Sequence, residues 1–342
     1  MRVLLGERSA PVRLTPLGEG SRVVAPGAEG RLLVDGLPVD SPFRMGGGRM
    51  VAVDGAPYRG VIEVRARPRG LAVVNVVPLE SYVAGTLHRE LYPQWDGAVL
   101  LAQAVATRTY ALYRVGRSRS RHHHLDATAG DQVYGGVAAE TPAARRAVAA
   151  TRGEYLSHGG RPILAVFHSA SGGRTATARE VWGRSLPYLV SLEVPGEESS
   201  PDAYWRVSVP VGELSALLRG AGWGVGRLEE LRVSQRTGSG RVARVLAQGT
   251  EGERTLTGRD LRRLLDSGTL RSTLYEIRRE EAEFVLVGSG HGHGVGMSQW
   301  GARAMARRGA SYREILNRFY PGAELRRLVE EPPAVAASGG GG

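Results

Sequence analysis

The sequence predicts an α+β fold, helices packed on β-sheet with a β-rich opening and a small α/β insertion, and three observations carry that prediction. Short runs of β-branched residues separated by Asp-Gly turns fill the first 77 residues. A stripe of helical period then opens at Leu79. Between residues 200 and 280, a hairpin pattern lies between two helical ones.

In order, Arg31-Leu-Leu-Val34, Met50-Val-Ala-Val53, Gly60 to Ala66 and Leu71 to Val77 read as strands, with turns at Asp35-Gly36 and Asp54-Gly55. Pro78 suits a helix start. Leu79, Tyr82, Val83, Thr86, Leu87 and Glu90 recur at helical spacing, and Pro93 predicts a stop near Leu91 or Tyr92. Asp96 can cap a second helix to about Val115, with Val99, Ala102, Val105, Ala106, Thr109 and Leu112 on one face. Thr141 as N-cap, Pro142 at N1 and Gly153 at C′ bound a third. Glu154 to Ser157 and Ile163 to His168 read as a hairpin about His158-Gly-Gly-Arg161. Val211 to Arg219 reads as a helix, Leu231 to Gln235 and Val242 to Ala247 as a hairpin across Thr237-Gly-Ser-Gly240, and Thr257 to Asp260 as a capping-box start for a helix through Leu265. Phe284 to Val287 is a strand leading into a glycine-rich loop, and a helix from about Met297 to Arg308 takes Gly309 as C′. This divides the chain into a β-rich region at 1–77, two parts of one core at 78–199 and 281–328, an inserted α/β subdomain at 200–280, and a flexible tail at 329–342.

Composition narrows the chemistry. Cysteine is absent, which excludes thiolate catalysis and a cysteine-based zinc site. Lysine is also absent, so all 45 basic residues are arginine, and both a Walker phosphate loop and Schiff-base chemistry are excluded. A net charge of +11 attracts polyanions, whether nucleic acid, anionic lipid or wall polymer. Aromatics at 6% and the lack of a zinc-finger or RNP-like signature argue against specific nucleic-acid binding, and Arg117, Arg119 and Arg121 read as a solvated loop. The opening segment is too short for a signal-peptide core, and no stretch reaches the ~18 apolar residues of a membrane span. The sequence is that of a cytoplasmic protein or of one whose leader has been removed.

Glu90 lies on the inward stripe, in a last helical turn. Desolvation there raises a carboxyl's pKa, as a general acid near neutral pH requires; the alternative is a helix-end glutamate bridged to an arginine. Gln103, Arg108 and Tyr110 are polar groups near the packed surface of the next helix, candidates to hold Glu90 or a ligand. His122, His123 and His124, with Asp126 and Asp131, form a loop in which three consecutive histidines cannot all ligate one metal from a regular element. In Phe167-His-Ser-Ala-Ser-Gly-Gly173, small residues at a strand end let a ligand approach the backbone. A Ser169/His168 hydrolase is disfavoured, because adjacent strand residues point to opposite faces. Five glycines within Gly288 to Gly296 fit no dinucleotide fingerprint, and their entropic cost implies that something needs the bare backbone.

Five blocks then carry a resemblance: Tyr82-Val-Ala-Gly85 with Glu90, Ala102-Gln-Ala-Val-Ala-Thr-Arg-Thr-Tyr110, Gln132-Val-Tyr-Gly-Gly136, Phe167 to Gly173, and Gly292-His-Gly-Val-Gly-Met-Ser-Gln-Trp-Gly-Ala302 followed by Tyr320-Pro-Gly322. In this order, over about 240 residues, they resemble the SpoIID/LytB family. The resemblance implies a SpoIID-like catalytic core and a peptidoglycan lytic transglycosylase, with Glu90 as the catalytic residue. It implies substrate-binding roles for Gln103, Arg108, Tyr134, His168, Ser169, Ser171, Gly172, His293, Gly294, Ser298 and Gln299. The partners implied are peptidoglycan glycan strands and other wall-remodelling enzymes, with an extracytoplasmic location in the cell wall or periplasm. The alternative is a non-catalytic wall-binding module that modulates an amidase. Family members that bind zinc do so through a histidine and two cysteines before the Gln-Val-Tyr block; this chain has Leu125 and Asp131 where those cysteines would fall, so no metal and no cofactor is expected.

Overall fold

A computed structural model describes residues 1–328 apart from positions 93, 121 and 267; the tail expected over 329–342 lies outside the described residues. Helices and sheets are mixed, with no closed barrel among the described residues, as the α+β reading requires. The chain folds as two compact units, one built from residues 1–93, 107–163 and the chain from Glu324, the other from 94–106 and 164–323.

The first unit opens with a six-stranded sheet in the order Leu37–Val39, Leu32–Val34, Arg22–Pro26, Val12–Pro16, Val51–Val53, Ala56–Tyr58. It shares a core with a five-stranded sheet in the order Leu125–Asp126, Arg2–Arg8, Gly70–Val76, Val61–Arg67, Phe43–Gly46. Alternation fixes which side faces in: Val12 and Leu14 are fully buried while Arg13 between them is exposed. Asp35 and Asp54 sit at φ 50° and 48°, each followed by a positive-φ glycine, the two-residue geometry that matches strand twist. The opening strand Arg2–Arg8 has no counterpart in the sequence reading; its partners Gly70–Val76 and Leu125–Asp126 are far away in sequence.

Three helices follow: α1 (Leu79–Glu90), α2 (Gly97–Arg117) and α3 (Pro142–Ala150). Helix α1 ends at Glu90 with extended Leu91 as its C-cap. It is not the one-sided helix expected. Tyr82 through Leu87 are all buried while Leu79 is half-buried, because the far side of the helix is covered too, as described below. Helix α2 begins just after Asp96, whose carbonyl accepts Val99 and Leu100 N–H; its first residues lie in the second unit and those from Thr107 in the first. In α3, Thr141 caps Ala144 N–H at 3.1 Å and Pro142 stands first, but the C-cap is Thr151, so Gly153 lies one place beyond its expected C′ position.

The second unit holds α4 (Ala178–Trp182), α5 (Val211–Gly220), α6 (Gly258–Leu264), α7 (Gln299–Arg307) and α8 (Tyr312–Phe319). Two three-stranded sheets, Trp205–Pro210 with Glu283–Gly288 and Tyr275–Glu280, and Leu228–Arg236 with Val242–Gly249 and Gly252–Thr257, enclose one apolar cluster with Leu214 and Leu218 of α5 and Leu261 of α6. Thr257 and Asp260 form the expected capping box. The hairpin expected from Glu154 to His168 is corrected: only Arg161–Pro162 pairs back onto Glu154–His158. Phe167–His168 instead pairs in parallel with Met297–Ser298, so the strand hydrogen bonds of this segment go to the glycine-rich loop. Helix α7 accordingly starts at Gln299, with Ser298 as its cap, two residues later than expected.

Candidate active site

In the first unit, Glu90 closes α1. Its Oε1 accepts the Val133 N–H at 2.8 Å, and among the described residues no arginine bridges it, which sets aside the ion-pair alternative. Burial raises the pKa of this half-buried carboxyl above the ordinary carboxylate range, and the Val133 N–H pulls it back only in part. The Gln132 to Gly136 segment that supplies Val133 runs along α1, and Gly135 N–H donates to the Gly85 carbonyl at 2.9 Å. A Cβ on Gly85 would lie 2.7 Å from the Tyr134 ring and 2.9 Å from the Gly136 carbonyl oxygen, so the Tyr-x-x-Gly block is where the helix lets this segment approach. Tyr82 donates to Gln132 Oε1 and Tyr134 to Asn75 Oδ1, both at 2.8 Å, and their rings tilt together 5.1 Å apart. These contacts hold Val133 and Glu90 in register.

Arg108 does not reach Glu90. It is fully buried, paired through Nε and Nη2 with Glu80 at 2.9 and 2.6 Å and through Nη1 with the Glu154 carbonyl at 3.0 Å, a structural tie between α1 and α2. Nor does Arg108 support the loop around Asp126 and Asp131, which other groups hold. Asp131 accepts from Tyr110 at 2.6 Å, from Arg114, and from the Asp126 N–H at 2.8 Å. Burial first, and then the bond to Asp131, pushes the Tyr110 phenol above its usual value, against the opposing pull of Arg114.

The positions where relatives that bind zinc would have cysteines do not make such a site here. Leu125 is a buried apolar strand residue, and both oxygens of Asp131 are spent on Tyr110, Arg114 and Asp126. His124 Nδ1 accepts the Arg2 N–H at 3.2 Å, and His123 faces Asp126 at 3.5 Å.

The remaining predicted residues, Gln103, His168, Ser169, Ser171, Gly172, His293, Gly294, Ser298 and Gln299, lie in the second unit and are brought together there. The glycine-rich loop threads against the Phe167 to Gly173 segment through bridges Ala170–His291 and Ala176–Val295. Gly296 and Gly294 show why the backbone is bare. Both are at positive φ, and a Cβ would lie 2.1 Å from the Val166 carbonyl oxygen or 2.3 Å from the Arg241 guanidinium. His168 is buried, with Nδ1 on the Val295 carbonyl at 3.1 Å; burial and the neighbouring His293 and Arg241 hold it neutral, well below its ordinary pKa. His293, 5.5 Å from it ring to ring, is pushed down to about 4 by desolvation and by Arg241 and Arg262. Gln299 Nε2 donates to Gln103 Oε1 at 3.4 Å, and Ser169 offers its carbonyl to the Trp300 N–H at 3.0 Å.

Sequence reasoning missed the group that organises this cluster. Glu197, 4% exposed, accepts Ser171 N–H at 2.9 Å, Ser171 Oγ–H at 2.6 Å, Gly173 N–H at 2.9 Å and the Ser298 hydroxyl. One carboxylate thus clamps the Ser171 to Gly173 turn to the cap of α7. Nothing local distinguishes it from Glu198 beside it. Asp202 does similar work for the loop entry, taking Arg271 at 2.7 Å and His291 at 3.2 Å. Arg241, from the Val242 strand's leading edge, donates to the Ser171 carbonyl at 2.7 Å, yet in the sequence it is one arginine among 45.

A family model described as Stage II sporulation protein matches residues 68–158, and one described as a domain of unknown function, DUF8618, matches 184–296. A protein of Bacillus amyloliquefaciens named Stage II sporulation protein D is 33% identical over 270 residues, covering 74% of this chain and 75% of the relative. An uncharacterized protein of Brachyspira hyodysenteriae is 30% identical over 276 residues, 80% of this chain and 73% of its own. A Bacillus subtilis protein named Amidase enhancer is 27% identical over 289 residues, 70% of this chain and 40% of its own.

Proposed function

This chain belongs to the stage II sporulation protein D family, and from that premise we propose that it is a peptidoglycan lytic transglycosylase acting outside the cytoplasm. Membership supports a role in sporulation or the cell wall; the cleavage chemistry is our reading of Glu90. The observation that carries it is a half-buried carboxyl of raised pKa at a helix end, held by one backbone N–H and bridged by no arginine among the described residues. In the protonated form Glu90 gives its proton to the oxygen between MurNAc and GlcNAc as the bond from that oxygen to MurNAc C1 breaks. The resulting carboxylate takes the proton of the MurNAc 6-hydroxyl while O6 bonds to C1, closing a 1,6-anhydro ring. No water is consumed, so one carboxyl suffices where hydrolytic glycosidases usually employ two. His168, neutral and with Nε2 unbonded among the described residues, supplies with Ser169 and Gln299 hydrogen-bonding groups suited to sugar hydroxyls and acetamido groups, whereas the Ser171 hydroxyl is taken by Glu197 and His293 Nδ1 by the Val295 N–H.

A second reading, a wall-binding module that modulates an amidase, is favoured by the name Amidase enhancer carried by one relative. Muropeptide analysis of digested glycan strands separates the two. Anhydro-muramyl ends made by the wild type and absent with Glu90→Gln support the enzyme. None from either protein supports the binder.

A further inference from the structure

The second unit contains a cavity of about 280 Å³ lined by Glu180, Trp182, Arg241, Arg259, Arg262 and His293, among others. We propose that this cavity is a binding site for an oxyanion, a carboxylate or phosphate group carried by a larger molecule, with Arg241 as its principal ligand-binding residue.

The charges in the cavity do not balance. Arg241 is 2% exposed. Its Nη2 is spent on the carbonyls of Ser171 at 2.7 Å and Arg174 at 3.4 Å, but Nε and Nη1, which carry three of the five guanidinium N–H bonds, have no partner among the described residues. Arg262 gives its Nε to the Leu270 carbonyl at 2.8 Å, and Arg259 gives one nitrogen to the Val181 carbonyl. None of the three arginines forms an ion pair among the described residues. Glu180 and Glu197 attract Arg241 from a distance but bond to neither of its free nitrogens: Glu180 Oε1 takes the Ser239 N–H at 3.0 Å and Oε2 the Thr177 N–H at 3.1 Å, and Glu197 is held by Ser171, Gly173 and Ser298, so three guanidinium charges face one lining carboxylate.

An unpaired buried guanidinium is costly, and each stranded donor adds to that cost. A neutral hydroxyl would satisfy donors and leave the charge. An oxyanion answers both, and the planar guanidinium is the side chain whose geometry suits it. Arg241 stays cationic at neutral pH, its pKa falling only to about 10 through desolvation, whereas His293 is neutral, its Nδ1 accepting the Val295 N–H at 3.0 Å, and adds no charge to the cavity. The volume is near the lower end of the ~300–1,000 Å³ range of ligand pockets, more than a bare ion needs, and the Trp182 ring, 5.3 Å from that of His293, gives one apolar wall for the group that bears the anion.

The test is ¹H–¹⁵N NMR titration of the His293 ring, with sodium phosphate or sodium trifluoroacetate, both anionic near pH 4, added at constant ionic strength against sodium chloride. Binding places a negative charge beside the arginines that hold His293 down, so its pKa of about 4 should rise, and the dissociation constant follows from the shift. Arg262→Gln, less buried and so tolerant of change, should weaken the effect about 10- to 100-fold, the loss expected for one charge-assisted hydrogen bond. Arg241→Gln should abolish it where the variant folds. A response to phosphate alone assigns the site to phosphoryl groups, to trifluoroacetate alone to carboxylates, and to both to oxyanions generally. No response beyond that of chloride, or a response untouched in Arg262→Gln, overturns the proposal. Glu90→Gln protein, expected to be inactive, should bind as the wild type does, so failure here and failure of the transglycosylase reading are told apart.

Discussion

Gly296 and Gly309 are a matched pair that separates backbone strain from steric overlap. Both hold left-handed conformations, φ +72° and +89°. A Cβ at Gly309, just past α7, meets nothing within 4 Å; at Gly296 it would lie 2.1 Å from the Val166 carbonyl oxygen. For an L residue the left-handed conformation costs ~1–2 kcal/mol. Alanine recovers ~0.4–1 kcal/mol by stiffening the unfolded chain, so Gly309→Ala should destabilise by about 1 kcal/mol. Gly296→Ala carries the same strain and also falls roughly 1.2 Å short of the ~3.3 Å at which carbon normally meets a carbonyl oxygen. That oxygen accepts the Met297 N–H at 3.2 Å and the Tyr320 hydroxyl at 2.8 Å, so it cannot retreat without breaking both bonds. Overpacking of this kind adds ~1–3 kcal/mol, for a total of ~2–4. At ~2–4 °C per kcal/mol in a domain of this size, calorimetry should find melting temperatures lowered by ~2–4 °C for Gly309→Ala and by ~4–16 °C for Gly296→Ala. Equal losses in the two variants would refute the steric argument. If, well below both melting temperatures, Gly296→Ala also loses anhydro-muropeptide release while Gly309→Ala keeps it, the bare backbone serves the reaction as well as the fold.

Three further outcomes follow from the same geometry. Glu90 has a folded-state pKa raised above the ~4.3 of an unfolded chain, so its ionised form penalises the fold, and stability falls as pH rises through the folded value; Glu90→Gln should therefore melt higher than wild type at pH 7, with the gap closing toward pH 4 and reversed order refuting the argument, while cleavage falls about 10²- to 10⁴-fold. Glu197→Ala strands the Ser171 N–H and the Ser171 hydroxyl in a fully buried residue, at ~1–3 kcal/mol each, so urea unfolding should register a loss of ~2–6 kcal/mol; a loss below ~1 kcal/mol would mean the clamp is not formed. Dialysis against a strong chelator should leave glycan cleavage intact, since Leu125 offers no ligand and Asp131 is committed; activity lost and then restored by stoichiometric zinc would overturn this.

What the sequence made legible was chemistry written within a few residues. The Thr257/Asp260 capping box, the Asp-Gly hairpin turns and the end of α1 at Glu90 each depend on side chains next to the backbone they control. Glu90 was legible as a candidate for the same reason, its place in the helical period being a local fact. Illegible were features that exist only when distant segments meet. Arg2–Arg8 becomes a central strand because Gly70–Val76 and Leu125–Asp126 flank it. The run from Ile163 to His168 has strand-like composition, yet its last two residues pair with Met297–Ser298 across 130 residues, and no window on the sequence reveals that choice. Arg108 shows the same limit in a site residue: the helical pattern marked it as inward and polar, but only the fold shows that Glu80 claims it.

The strand Glu324–Arg327, which pairs with Glu154–His158 after the chain has left the second unit, bears on how the molecule can be dissected. Residues 68–158, the span matched by the family model, are not a severable piece. Cut out, they would lose Arg2–Arg8 from one side of Gly70–Val76 and Glu324–Arg327 from beside Glu154–His158, leaving raw sheet edges that invite pairing between copies. Expressed alone, that fragment should aggregate, and trimming the chain after Ala323 should bare the same Glu154–His158 edge. Shortened versions for biochemical work should therefore keep both ends of the described chain.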